Sequence, residues 1–164
     1  MMNTNLTPIT SDDRESIIDI FNYYVENSFA AYSEQKVPYE FFEVLLNVCN
    51  GYPTAVARDQ ETQIIGFGML RPYSPFPTFL QTAEVTYFLR PGFTGQGIGR
   101  EILEHLIAKG REKGISSVLA SISSLNEGSI NFHLKNGFSE CGRFRDIGRK
   151  RGKTFDVVYF QRML

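Results

Sequence analysis

Gly92, Gly95, Gly97 and Gly99 crowd the part of this chain best suited to chemistry. They lie between an apolar stretch ending in Leu89-Arg90-Pro91 and a run of helix formers beginning Arg100-Glu101-Ile102-Leu103. The first backbone N–H groups of a helix have no intrahelical partner, and the helix dipole adds partial positive charge there. Glycine lets such a backbone approach an anion closely, because it has no Cβ. A pyrophosphate is the natural occupant. The same pattern also describes a flexible loop closed by a helix cap, since glycine motifs recur by chance.

What the loop lacks narrows the ligand. No Gly-Lys-Ser/Thr ending is present, which disfavours a nucleoside-triphosphate loop with its magnesium-binding hydroxyl. The alternating glycines also miss the Gly-x-Gly-x-x-Gly spacing of dinucleotide folds, and they do not follow the first strand. Cys49 and Cys141 match no metal-ligand spacing, and His105 and His133 are the only histidines, so no metal site is expected. The cysteines are expected as free buried thiols.

The elements that must hold this loop follow from periodicity. Residues 4–9 can form a short strand, and Ser11-Asp12-Asp13 offers a cap for a helix. Ile17, Ile18, Phe21, Tyr24 and Val25 recur at helical spacing to about residue 27. A second helical pattern runs from Pro38 to Cys49 and stops at Asn50-Gly51. Residues 54–58 and 63–70 read as a hairpin, 72–77 as a loop and 82–89 as a strand. A helix over 99–113, a strand over 117–122 and a helix over 129–136 closed by Gly137 follow. Strands over 138–147 and 154–162 finish the chain.

This order predicts an α/β (α+β) fold: a mixed, mainly antiparallel sheet with helices on both faces. The strand–helix–strand unit over 82–122 should pair in parallel through a right-handed crossover. The 164 residues fit one domain, 1–164, large enough for a real core. A net charge of −1 argues against a general nucleic-acid binder. No run is long enough to span a bilayer and no signal-peptide pattern is present, so a cytoplasmic protein is expected.

In this context the chain resembles the GNAT superfamily of acetyl-CoA-dependent N-acetyltransferases. The strand, glycine loop and helix over 82–113 resemble that family's pyrophosphate motif, and Phe132-His133-Leu134-Lys135-Asn136-Gly137-Phe138 resembles its Tyr-x-x-x-Gly-Phe ending. Thr82-Ala83-Glu84-Val85-Thr86, Asn126-Glu127-Gly128-Ser129-Ile130-Asn131-Phe132-His133, Gly148-Arg149-Lys150-Arg151-Gly152 with Asp156, and Asn27-Ser28-Phe29-Ala30-Ala31-Tyr32 are similar to the phosphinothricin and methionine sulfoximine acetyltransferase subgroup. Two positions depart from the pattern. Thr94 stands where the superfamily usually has Gln or Arg, and Thr154 where the subgroup usually has Trp.

The resemblance implies acetyl-CoA as co-substrate, contacted by Phe88, Leu89, Thr94, Gly95, Gln96, Gly97, Ile98, Gly99 and Arg100, with Asn126 on the pantetheine arm or capping its helix. Glu84 is implied as the base: an amine attacks a thioester only when neutral, and a carboxylate can take its proton. A strand Glu paired with a Lys or Arg is the alternative. His133 occupies the position of a Tyr that protonates the leaving thiolate in many members, and an imidazole could do the same. The alternative is a histidine that packs the short helix. An acceptor pocket is expected from Phe29, Tyr32, Arg71, Phe79 and Lys150, with Arg71 holding a carboxylate or phosphinate. The aromatics could equally be core. The implied acceptor is the α-amine of a small amino-acid analogue. A polyamine, an aminoglycoside or a protein N-terminus is the rival, and a non-catalytic acyl-CoA-binding domain a further one. A homodimer is also implied, joined through C-terminal strands.

Overall fold

Strand residues alternate between the two faces of a sheet, so one sequence can feed two cores. The computed structural model describes residues 4–164; residues 1–3, the start of the expected 1–164 domain, lie outside the described residues. Its strands are β1 (Asn5–Thr7), β2 (Thr54–Arg58), β3 (Ile64–Pro72), β4 (Thr82–Leu89), β5 (Ser117–Ser123), β6 (Ser139–Lys150) and β7 (Lys153–Met163). They form one sheet in the order β1-β2-β3-β4-β5-β7-β6. Every neighbouring pair is antiparallel except β4–β5. The helices are α1 (Arg14–Asn27), α2 (Phe41–Cys49), α3 (Ile98–Glu112) and α4 (Glu127–Lys135). The expected mixed, mainly antiparallel sheet is present.

α3 covers one face, burying Ile98, Ile102, Leu103 and Leu106 against Ala55, Leu70, Ala83 and Val118. It lies close because β3 presents two glycines to it. A Cβ on Gly68 would meet Ile102 Cγ2 at 2.6 Å, and one on Gly66 would meet Ile102 Cδ1 at 3.2 Å. α1 and α2 cover the other face, where Ile17, Ile18 and Phe42 pack with Val56, Phe67 and Met69. Helices on both faces therefore follow from the alternation.

The parallel junction is short. β4 and β5 pair only as Thr82 with Ser117, Ala83 with Val118 and Glu84 with Leu119. Beyond Glu84, β4 continues along β3 alone, and β5 continues along β7 alone. The sheet is split there, at the carboxyl ends of its two parallel strands, where ligands of open α/β sheets bind.

Some boundaries differ from expectation. The last hairpin is longer, because Arg151 and Gly152 both take positive φ, 50° and 73°, and let Lys150 pair with Lys153. Such a tight turn matches strand twist, but an arginine at positive φ gives no signal in sequence. Residues Ser11–Asp13 form a 3-10 turn that puts Asp13 at the N-cap of α1 without a side-chain cap bond, and Thr10 N–H donates to the Asp13 carboxylate at 2.8 Å. Both cysteines are free, but only Cys49 is buried; Cys141 is exposed.

Candidate active site

The glycine turn has the features an anion site needs. Gly92, Gly95 and Gly97 all take positive φ, 89°, 76° and 89°, which only glycine adopts without strain. Gly97 caps α3, and the first bond of that helix runs from Glu101 N–H to Gly97 C=O at 3.1 Å. The amides of residues 97–100 precede it and have no backbone partner among the described residues. A Cβ at Gly95 or Gly97 would meet nothing within 4 Å, so the turn opens on free space. Gln96 closes it by donating to Gly92 C=O at 2.9 Å. Arg100 is exposed beside these amides, with no side-chain partner among the described residues. Donors and geometry fit a pyrophosphate.

The other expected cofactor residues are placed less uniformly. Ile98 and Gly99 are buried, so their amides alone can reach a ligand. Gly99 lies against the Phe132 ring, which a Cβ there would meet at 3.4 Å. Leu89 packs toward α3, and its carbonyl accepts from the Tyr24 hydroxyl at 2.6 Å. Phe88 points to the opposite face, among Phe21, Tyr24 and Phe67, and its ring does not face the glycine turn. The Asn126 side chain caps α4 by accepting from Ser129 N–H at 3.3 Å. That cap uses Oδ1 only, so Nδ2 keeps its donors.

Glu84 is the last residue of the β4–β5 junction, and Arg71 stands opposite it across the β3–β4 ladder. Arg71 Nη2 donates to Glu84 Oε2, and the Glu84 side chain is only 17% exposed. Arg71 Nε is buried with no partner among the described residues. The Tyr32 hydroxyl belongs to the same group. It is raised above its ordinary pKa first by desolvation, with Tyr159 and Glu84 adding to the rise and Ser121 and Arg71 opposing it. The Tyr32 ring stacks on Phe155 at 5.8 Å, and Phe29 meets Phe155 edge-on at 6.2 Å. A carboxylate, a guanidinium and an aromatic wall thus gather beside the split.

Two expected residues, His133 and Lys150, are buried in contacts of their own. His133 is 3% exposed. Its Nδ1–H donates to Ser129 C=O at 2.7 Å, so Nε2 is left to accept from the Tyr87 hydroxyl. Burial holds the ring below its ordinary pKa. With both nitrogens engaged among Tyr87, Phe138 and Phe160, it is packed as a core histidine and offers a ligand nothing. Lys150 is 1% exposed and cannot line an open pocket. Its Nζ donates to Ser28 C=O at 2.8 Å and Ala31 C=O at 2.7 Å. Phe79 is exposed on the β3–β4 connection, and its ring partner is Tyr73 at 5.5 Å.

Sequence reasoning missed Phe155, Ser121, Tyr159 and Tyr87. Strand alternation could have found the first three, since Phe155, Tyr159 and Ser121 all lie opposite the α3-facing Val158, Phe160 and Ile122. No local signal links Tyr87 to His133.

A model of the acetyltransferase (GNAT) family matches residues 17–138. The chain is 30% identical over 151 residues to the L-methionine sulfoximine/L-methionine sulfone acetyltransferase of Pseudomonas aeruginosa, covering 91% of this chain and 88% of that one. It is 30% identical over 161 residues to a phosphinothricin N-acetyltransferase of Streptomyces coelicolor, with 96% and 94% covered. It also superposes on the crystal structure of a GNAT superfamily phosphinothricin acetyltransferase from Sinorhizobium meliloti in complex with acetyl-CoA. That match has a TM-score of 0.93 and 27% identity, over 99% of this chain and 89% of the other. The matched segment holds the glycine turn, the split sheet and Glu84 together, so the chain belongs to the GNAT acetyltransferase family and is an acetyl-CoA-dependent N-acetyltransferase.

Proposed function

We propose that the acceptor is a small amino-acid analogue of the phosphinothricin or methionine sulfoximine type, acetylated on its α-amine. The observation that carries this reading is the Arg71 guanidinium, tied to Glu84 through Nη2 while its buried Nε lacks a partner among the described residues. A buried donor left unpaired costs free energy, and a carboxylate or phosphinate accepting from it would relieve that cost. Such a ligand would lie against Tyr32, which Phe155 backs, with its amine toward Glu84.

The amides of residues 97–100, with Arg100, hold the pyrophosphate of acetyl-CoA, which supplies an acetyl thioester at the split. Asn126 Nδ2, free of the helix cap, would donate to the pantetheine arm. The amine must shed a proton before it can attack, and the Glu84 carboxylate receives it; as the new C–N bond forms, the thioester C–S bond breaks and CoA departs as its thiolate. Tyr32 and Phe29 form the wall that excludes water and orients the acceptor. We assign His133 to packing, with its bond holding Tyr87.

We further infer a homodimer through β6. This edge strand is exposed over nearly its whole length, and it displays Phe144 at 57% and Ile147 at 59% exposure. A long edge of this kind invites pairing with another chain. The unbridged thiols suit a reducing compartment such as the cytoplasm.

CoA release with methionine sulfoximine, phosphinothricin, spermidine and an alanine peptide amide tests the acceptor. Turnover with the amino-acid analogues is expected. Good turnover of spermidine or the peptide, with none of the analogues, would leave the family and remove the acceptor.

A further inference from the structure

The residues that build the acceptor wall, Phe29 and Tyr32, lie in the irregular segment after α1, which no ladder holds in place. A cation holds it instead. Lys150, at the end of β6, is 1% exposed and has no carboxylate within ion-pairing distance among the described residues. A buried, unpaired ammonium is costly unless strong acceptors surround it. Its acceptors are Ser28 C=O and Ala31 C=O, at 2.8 and 2.7 Å, on either side of Phe29. Ser28 is the C-cap of α1, so the charge also lies at the negative end of that helix dipole.

The neighbouring residue grips the same segment. Arg151 Nη2 donates to Val25 C=O at 2.6 Å, and Arg151 N–H donates to the Glu34 carboxylate at 2.7 Å. The turn therefore brackets residues 25–34. Phe155, on which both wall rings rest, belongs to the same hairpin. It lies directly over Gly148, where a Cβ would come within 2.2 Å of its ring.

We propose that the β6–β7 turn, through Lys150 and Arg151, is a positioning clamp that fixes the acceptor wall. Lys150 touches no acceptor; it sets the path of the segment that does. The proposal rests on the acceptor pocket described above.

The test compares Lys150→Met, which keeps length and loses the charge, with Arg151→Ala at an exposed position. Lys150→Met should raise the acceptor KM at least tenfold, change kcat less than threefold and leave the acetyl-CoA Kd within twofold. Arg151→Ala should raise the acceptor KM two- to fivefold with the same pattern. Lys150→Met in a Tyr32→Ala background should add little, since the wall it positions is already lost. Amide exchange of the peptide spanning residues 28–34 should quicken at least tenfold in Lys150→Met. An unchanged acceptor KM with unchanged exchange, or an equal loss of acetyl-CoA affinity, overturns the clamp. If Lys150→Met does not fold, an unchanged KM and unchanged exchange in Arg151→Ala overturn it alone. Because exchange needs no acceptor, a wild-type protein inactive on the whole amine panel would refute the pocket and still leave the clamp decided.

Discussion

Arg71 and Glu84 face each other across the β3–β4 ladder with guanidinium and carboxylate in contact, at the point where the sheet divides. The pair joins two roles that sequence alone keeps apart. The arginine that would hold the acceptor also touches the carboxylate that would take its proton. Binding and proton transfer are thereby set at one distance from each other.

Glu84→Gln keeps the shape and can still accept from Arg71, but it cannot hold a proton as a carboxylate does. Turnover should fall roughly a hundredfold or more, with acetyl-CoA affinity nearly intact. Residual activity should climb with pH as the free-amine fraction grows. Wild-type turnover at neutral pH would take Glu84 out of the mechanism. Arg71→Ala should instead raise the acceptor KM by about tenfold, since a lost clamp removes binding more than chemistry.

Gly97 combines positive φ with open space in front of it. Gly97→Asp would put a carboxylate where the pyrophosphate is proposed to sit. Acetyl-CoA affinity should fall at least tenfold, about 1.4 kcal/mol, by calorimetry. A folded variant that binds as the wild type does would refute the turn as the anion site.

The strand, glycine turn and helix were legible because period-two and helical apolar patterns meet at glycines that only a turn explains. Glu84 was legible through its place on that strand, but its bond to Arg71 was not, since register across β3 and β4 depends on the whole loop between them. His133 and Lys150 carry side chains that could do chemistry, and nothing local says that they are buried. Their partners arise from tertiary packing: Tyr87 lies 46 residues from His133, and the carbonyls that Lys150 binds lie 119 and 122 residues away.

Because burial holds His133 below its ordinary 6.5, the unfolded chain binds this proton before the folded one does. The stability it lends is full above about 6.5, and is lost as pH falls from there through the folded value. Urea unfolding should show a lower midpoint at about pH 5.5 than at about pH 7.5. His133→Gln should be less stable by about 1–3 kcal/mol at the higher pH and depend less on pH. An undiminished pH dependence in the variant would assign the effect to other groups.

Burial pushes the Cys49 thiol up to about 11, and its Sγ donates to Leu45 C=O at 3.1 Å. At about pH 8 a thiol reagent needs thiolate and access, and Cys49 offers neither. The native protein should therefore label at the exposed Cys141 alone, and Cys49 should label only in denaturant. Rapid native labelling of both would contradict this packing.

The three-rung junction between β4 and β5 bears on how fast the enzyme can work. A cleft between hinged domains must open and shut in every cycle, and that motion often limits turnover. Here the slot is a fork in the backbone itself, fixed when the sheet forms and flanked by two antiparallel ladders that stay intact. A ligand entering it finds the walls already standing, so little ordering entropy is left for the moment of encounter. Capture of acetyl-CoA would then be a matter of diffusion and orientation, and a slow step is expected on the acceptor side, where the proposed wall is a segment bonded to Lys150 and Arg151.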